Sequence, residues 1–206
     1  MNKDKIIRTF DKQAKIYEKR RRKRSERKWR EKLLSSARGK VLEVAVGAGA
    51  NFHFYPQGVE VTAIDFSEGM LKKAKEAAIE EGIEAQFILS DVESLSFEDN
   101  SFDTVISTLS LCGYEDPMKI LNSFNKWCKP DGQILLLEHG KSSNSMIGYF
   151  QTMLNPLNRK VAGCYLNRDM LHIVEHSNIH IERMEHYLTG AVHLVWAKPN
   201  KHISIQ

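Results

Sequence analysis

Two glycines one residue apart, Gly47 and Gly49, follow the apolar run Val41-Leu42-Glu43-Val44-Ala45-Val46. A second apolar run, Val61-Thr62-Ala63-Ile64, ends on Asp65, 18 residues after the first glycine. Glycine lets the backbone turn sharply and approach a ligand with no Cβ in the way, and a carboxylate at the tip of the next strand can accept hydrogen bonds from both hydroxyls of a ribose. The spacing therefore favours a nucleoside ligand. It disfavours phosphates: a dinucleotide fingerprint needs a third glycine where Phe52 stands, Asn51 to Tyr55 would crowd a pyrophosphate, and the Gly-Lys-Ser/Thr of a P-loop is absent. Glu43, on the first strand, suits a ligand that carries positive charge.

A ribosyl ligand with an ammonium and a sulfonium but no phosphate meets these terms, which is the chemistry of S-adenosyl-L-methionine. On these residues alone a tight turn in an α/β protein stays open. A second motif competes. His172-Ile173-Val174-Glu175-His176 fits the H-x-x-E-H pattern of inverted zinc peptidases, with both histidines on one helical face. Zinc catalysis needs a third ligand, only 30 residues follow the motif, and the ribosyl-binding segment has no role in such a peptidase. The segment reads instead as an amphipathic helix covering a sheet through Met170, Leu171, Ile173 and Val174. Cys112, Cys128 and Cys164 are odd in number and widely spaced, so neither a disulfide framework nor a Cys-x-x-Cys metal site is expected, and a reducing compartment is. No metal is expected.

The elements that must position these residues alternate. Residues 41–46, 61–65, 85–89, 104–107 and 133–138 are short, apolar and bounded by turn residues, as buried parallel strands are. Ser67 caps a helix through Met70, Leu71, Ala74 and Ala78 that stops at Gly82; Asp116-Pro117 opens another, ending near residues 129–132. Residues 167–177 read as a helix, and 179–186 and 191–197 as an antiparallel hairpin. The pattern predicts an α/β fold with a doubly wound sheet and its ligand at the carboxyl ends of the strands.

Charge is uneven under a net +4. Residues 1–40 hold 17 Lys/Arg against 5 Asp/Glu, the remainder 13 against 21. We therefore read residues 1–40 as a basic helical segment and 41–206 as a separate α/β domain. The run at residues 19–24 with Arg27, Lys28 and Arg30 reads first as a solvated face lying against the acidic remainder. Peripheral contact with anionic membrane is the second reading, and nucleic acid the least favoured, for want of interleaved aromatics. No apolar signal core and no run of 18 apolar residues occurs, so a cytoplasmic location, with peripheral membrane contact as the alternative, is expected.

Leu42 to Gly49, Ile64 to Leu71, Ser101-Phe102-Asp103-Thr104-Val105 and Leu121 through Lys129-Pro130-Asp131-Gly132-Gln133 resemble, in order, the motifs of class I S-adenosylmethionine-dependent methyltransferases, of the quinone, phospholipid and thiol methyltransferase-like type 11 group. The resemblance spans roughly residues 40–140 and implies a Rossmann-like seven-stranded sheet, mostly parallel with an antiparallel last strand. It departs at Ala45, where the family usually has glycine. It further implies that Asp65 holds the ribose, that Phe66 and Met70 pack near the adenine, that Asp91 accepts from the adenine amino group with Val92 beside it, and that Thr108 and Leu109 line the methionine side. Glu43, Ala45, Gly47, Gly49 and Asn51 form the first loop of that set. Tyr17, in a segment similar to the N-terminus of the quinone-type enzymes, would close over the cofactor, although Phe10, Ala14 and Tyr17 at helical spacing also suit plain packing.

The same resemblance puts His139 in the active-site cleft, where an imidazole titrating near neutrality suits a general base. Cys112 reads as an acceptor contact or an ordinary buried cysteine. Residues 141–166 carry an apolar helical stripe interrupted at Pro156 that would roof an apolar acceptor pocket, with Tyr165 and Arg168 near its edge. The expected activity is methyl transfer to a small, partly apolar acceptor such as a thiol, which ionises with little help. A phospholipid N-methyltransferase and a quinone-type C-methyltransferase are the alternatives. From another class comes a non-catalytic cofactor-binding module docking on lipid or RNA through the basic N-terminus.

Overall fold

A strand that is apolar on successive residues buries both faces, and Lys40–Val44 (β1) does so in the computed structural model, with Val41 and Leu42 fully enclosed. The structure describes residues 3–23 and 26–201, which fall into two compact units, Met1–Leu95 and Ser96–Gln206.

In the first unit, Glu60–Asp65 (β2) pairs in parallel with β1 and with Glu84–Leu89 (β3). Helix α3 (Glu68–Glu81) begins where Ser67 Oγ accepts the Met70 N–H at 3.1 Å and ends at Gly82 in the left-handed conformation, φ +67°. Its buried residues, Met70, Leu71, Ala74, Ala77 and Ala78, share one face. The N-terminal helices, Lys3–Arg22 (α1) and Arg27–Leu34 (α2), belong to this unit too. Asp11 on α1 accepts from Ser67 Oγ at 2.6 Å and from the Gly69 N–H at 3.0 Å, and thereby ties α1 to the start of α3. Arg21 and Arg22 pair with Glu80 at 2.7 and 2.8 Å, while Lys73 pairs with Glu18 at 3.2 Å. Part of the basic run thus lies against acidic groups, whereas Lys19, Arg20 and Lys23 stay exposed and Arg24 falls outside the described residues. These ties place the basic segment in one unit with the first three strands, and the compact division falls after Leu95.

In the second unit, Phe102–Thr108 (β4) runs parallel to Cys128–His139 (β5), and Val192–Pro199 (β7) lies antiparallel between β5 and Ile179–Tyr187 (β6). With the first unit's strands these complete a Rossmann-like, seven-stranded, mostly parallel sheet whose last strand is antiparallel, as expected. Three elements differ from expectation. Helix α4 (Pro117–Trp127), capped by Asp116, stops earlier because Cys128 already pairs with Phe102, so residues 129–132, where the helix was expected to end, lie within β5. Helix α6 (Met170–Glu175) is shorter, because Asp169 caps it by accepting the His172 N–H at 3.1 Å. Helix α5 (Ser145–Val161) continues through Pro156 where an interruption was expected. On either side of the proline, Asn155 Oδ1 accepts the Leu166 N–H at 2.9 Å and Asn158 Nδ2 donates to the Cys164 carbonyl at 2.8 Å, so side chains bind the last turns to the following loop. Met146, Tyr149, Met153 and Leu157 on α5 remain exposed.

Candidate functional site

The first loop is built from backbone. Ala45, Gly47 and Gly49 have φ of +50°, +56° and +76°, so every second residue is left-handed. A Cβ on Gly49 would lie 2.8 Å from Ala77 Cβ and 3.0 Å from the Phe52 ring, and only glycine seats the loop on α3. A Cβ on Gly47 would meet only Tyr17, at 3.9 Å, which leaves a cradle that a ligand atom can enter. Ala45 adopts the conformation the usual glycine would, at a cost of about 1–2 kcal/mol.

Asp65 closes this cradle. Its Oδ2 accepts the Gly47 N–H and its Oδ1 the Ser67 N–H, both at 2.9 Å. Burial pushes its carboxyl up to about 6, against the downward pull of the Ser67 and Gly47 N–H groups. Each oxygen keeps a further lone pair, which fits two ribose hydroxyls, and residues 45–52 contain no Lys or Arg to answer a phosphate. Backbone, one carboxylate and aromatic walls are thus a set that fits the nucleoside part of S-adenosylmethionine. Tyr17 borders Gly47, and Phe10 stands edge-on to half-buried Phe66 with ring centres 5.3 Å apart. Met70 is buried among the unit's core residues. Asp91 caps a short turn through the Glu93 N–H at 2.9 Å and pairs with Lys3, with Val92 buried beside it.

Glu43 and Asn51 take a different place from the one expected. Glu43 Oε1 accepts from Asn51 Nδ2 at 2.8 Å and Oε2 from the Tyr55 hydroxyl at 2.6 Å, while Asn51 Oδ1 accepts from Arg30. Both residues are 1% exposed. Burial raises the Glu43 carboxyl to about 7 against these hydrogen bonds. The carboxylate therefore acts on the glycine loop through Asn51 and Tyr55, and its oxygens do not face a ligand cation.

The second unit assembles its polar groups from distant segments. Thr108 ends β4 and Leu109 follows it, both half-buried, with Leu109 left-handed at φ +56°. Glu138, on β5, accepts from Ser107 Oγ at 2.6 Å, the Ser110 N–H at 3.0 Å and the Leu111 N–H at 3.2 Å, and so fixes the turn after β4. Burial lifts it to about 7. Next to it, His139 stands with Cys112 and Cys164, their ligand atoms all within 4.8 Å of one another. The interaction between the neighbouring Cys112 and Cys164 side chains lowers the Cys164 thiol and raises that of Cys112, whose Sγ donates to the Leu109 carbonyl at 3.9 Å. Burial disfavours charge on His139, but its hydrogen bond to Cys164 and the nearby Glu138 outweigh it and raise the imidazole.

Arg168 and Tyr165 brace this cluster. Arg168 donates to the Leu111 carbonyl at 3.0 Å and the Tyr114 carbonyl at 2.6 Å and stacks 4.3 Å from the Tyr165 ring centre, while the Tyr165 N–H bonds the Cys112 carbonyl at 3.1 Å. Sequence reasoning missed Glu138 and Cys164. A lone acid after Ile134-Leu135-Leu136-Leu137 was a signal for the first; nothing in the spacing singled out the second. His172 and His176 stack with ring centres 3.9 Å apart and join no group of three metal-binding side chains among the described residues.

Comparison with known proteins follows this geometry. Residues 42–136 match the family model described as a methyltransferase domain. The chain is 30% identical to the mitochondrial methyltransferase OMS1 of Saccharomyces cerevisiae over 84% of this chain and 40% of that one. It is 34% identical to the phosphatidylethanolamine N-methyltransferase of Cereibacter sphaeroides, over 49% and 51%, and 33% identical to the thiol S-methyltransferase TMT1B of Rattus norvegicus, over 63% and 55%. The chain spans about half the length of these relatives. Among solved structures, a SAM-dependent methyltransferase from Aquifex aeolicus shares the fold at a TM-score of 0.55 and 18% identity, covering 78% of this chain and 81% of that one.

Proposed function

The chain belongs to the S-adenosylmethionine-dependent methyltransferase family, and from that premise we propose that it methylates a small, partly apolar thiol. The observation that carries the donor half is Asp65, held by the N–H groups of Gly47 and Ser67 beside an open glycine cradle. S-adenosylmethionine, when bound, supplies an already activated methyl group, so the protein's own part is orientation, exclusion of water and removal of the acceptor's proton. Asp65, Gly47 and Gly49 hold the nucleoside, with Tyr17 and Phe66 as its aromatic walls and Ala45, Met70, Asp91 and Val92 supporting them from behind.

The acceptor half rests on the second unit. Glu138 sets the course of Thr108 to Leu111, Arg168 and Tyr165 fix the carbonyl side of the same turn, and His139 stands among two sulfurs. A soft, partly enclosed polar cluster suits a thiol better than an amine headgroup, which would call for carboxylates facing the acceptor. Similarity to a thiol S-methyltransferase supports this reading, and similarity to a phospholipid N-methyltransferase supports the second one. Exposed Lys19, Arg20 and Lys23 support peripheral contact with anionic lipid, at the cytoplasmic location we propose.

Transfer of a labelled methyl group from S-adenosylmethionine to a panel of aliphatic and aromatic thiols, phosphatidylethanolamine vesicles and a demethylated quinone tests the proposal. Label on thiol sulfur is the expected result. Label on lipid nitrogen or quinone carbon with none on sulfur would replace the thiol, and cofactor binding without label on any acceptor would leave a binding module.

A further inference from the structure

The cluster at His139 combines the side chains of Cys112, from the turn after β4, His139, from the end of β5, and Cys164, from the loop after α5. We propose that these three residues bind one divalent cation of the zinc class and leave its fourth position open to a thiol. The three ligand atoms lie within 4.8 Å of one another. A tetrahedral zinc site with Zn–S near 2.3 Å and Zn–N near 2.0 Å needs ligand atoms roughly 3.4–3.8 Å apart, so side-chain rotation of about 1 Å completes it. Two thiolates and one imidazole neutralise a doubly charged ion, and this soft set selects zinc or cobalt over calcium or magnesium.

The surroundings are those of ligands held in place. Asn158 Nδ2 donates to Cys164 Sγ at 3.2 Å and to its carbonyl at 2.8 Å, and the Tyr165 N–H holds the Cys112 carbonyl at 3.1 Å, so backbones on both sides are fixed by hydrogen bonds outside the metal shell. Cys112 is buried whereas His139 and Cys164 are half-buried, which leaves one side of the cluster accessible. Three protein ligands with an accessible fourth position is the pattern of a working zinc site and not of a closed structural one.

For the occupant of the fourth position the inference rests on the thiol reading above. On coordination the S–H bond of an entering thiol breaks, its proton passes to solvent, and the sulfur lone pair forms the bond to the cation. His139 then serves as a ligand, and the cation takes over the task of ionising the acceptor.

Reduced full-length protein, stripped with chelator and titrated with Co²⁺, reads this directly. One Co²⁺ per chain with thiolate-to-metal charge-transfer absorption is expected, displaced by Zn²⁺. Cys112→Ser and Cys164→Ser should each halve that absorption and weaken Co²⁺ binding at least tenfold, and His139→Gln should weaken it while keeping the absorption. Circular dichroism of each variant checks the fold; the wild-type titration decides the matter even where a variant fails to fold. Absence of stoichiometric Co²⁺, or absorption unchanged in both cysteine variants, overturns the site. Methylation of thiols that persists undiminished in metal-free protein also overturns it while leaving the thiol reading intact. Stoichiometric Co²⁺ without thiol methylation supports the site and overturns the acceptor alone.

Discussion

The glycine loop with Asp65 and the cluster around His139 make polar sites by opposite means. The first takes its donors from backbone N–H groups in the turns after two adjacent strands, Gly47 after β1 and Ser67 after β2, and needs only the right residue at each φ. The second takes side chains from Cys112, His139, Asn158, Cys164 and Arg168, which only a folded second unit brings together. A backbone-built site is robust to side-chain change except at its glycines and its one carboxylate. A side-chain-built site is braced at many points and open to adjustment at each, which suits constancy of donor and variation of acceptor.

The largest effect should come from Asp65→Ala, which removes the acceptor of two N–H groups and of the ribose hydroxyls. Isothermal titration should show S-adenosylmethionine affinity falling about a hundredfold or more, roughly 3 kcal/mol, with Co²⁺ binding unaltered. Equal damage to both ligands would dissolve the contrast between the two regions.

Next is Gly49→Ala, whose new methyl would meet Ala77 and Phe52 at a left-handed φ. Denaturant unfolding should show a loss of about 2–3 kcal/mol, against about 1 kcal/mol for Gly47→Ala, where the space is open. On the other side of the comparison, Arg168→Ala leaves two carbonyls without their donor and should raise KM for the thiol several-fold while donor affinity holds. A matching fall in donor affinity would show that the bracing is shared.

The pH dependence sharpens the same point. Asp65 has its carboxyl raised from 3.8 to about 6 by burial, so its proton is held more tightly folded than unfolded. Its contribution to stability is fully present below pH 3.8 and is lost as pH rises through about 6, whereas the ionised form that best accepts from ribose appears over that same rise. Donor affinity measured from pH 5 to 8 should therefore climb through about 6 in the wild type and lose that step in Asp65→Asn. The smallest effect is expected of Ala45→Gly: release of a left-handed alanine should stabilise the chain by about 1 kcal/mol, a melting rise of about 2–4 °C.

Legibility in the sequence followed the same division. Strands β1 and β2, the Ser67 cap, the Gly82 stop and the Asp116-Pro117 start were readable because each is a local rule about periodicity, capping or φ. Gly47, Gly49 and Asp65 were readable for the same reason, since their partners lie within one βα turn and the next strand. Glu43 was misread: an acid on a strand looks identical whether it faces a ligand or an internal Asn51 and Tyr55, and only burial tells them apart. Helix α5 was expected to break at Pro156, and the bonds that hold its last turns run from Asn155 and Asn158 to Leu166 and Cys164, 11 and 6 residues away in the following loop.

By itself the sequence determined the fold class and the donor loop, because periodic burial and glycine conformations are properties of neighbouring residues. Only the tertiary structure decided that α1 lies on α3 through Asp11 and Glu80, and that Cys164 joins Cys112 and His139. Those contacts join residues tens of positions apart, where chain order carries no distance; it is packing of the elements that sets which side chains meet.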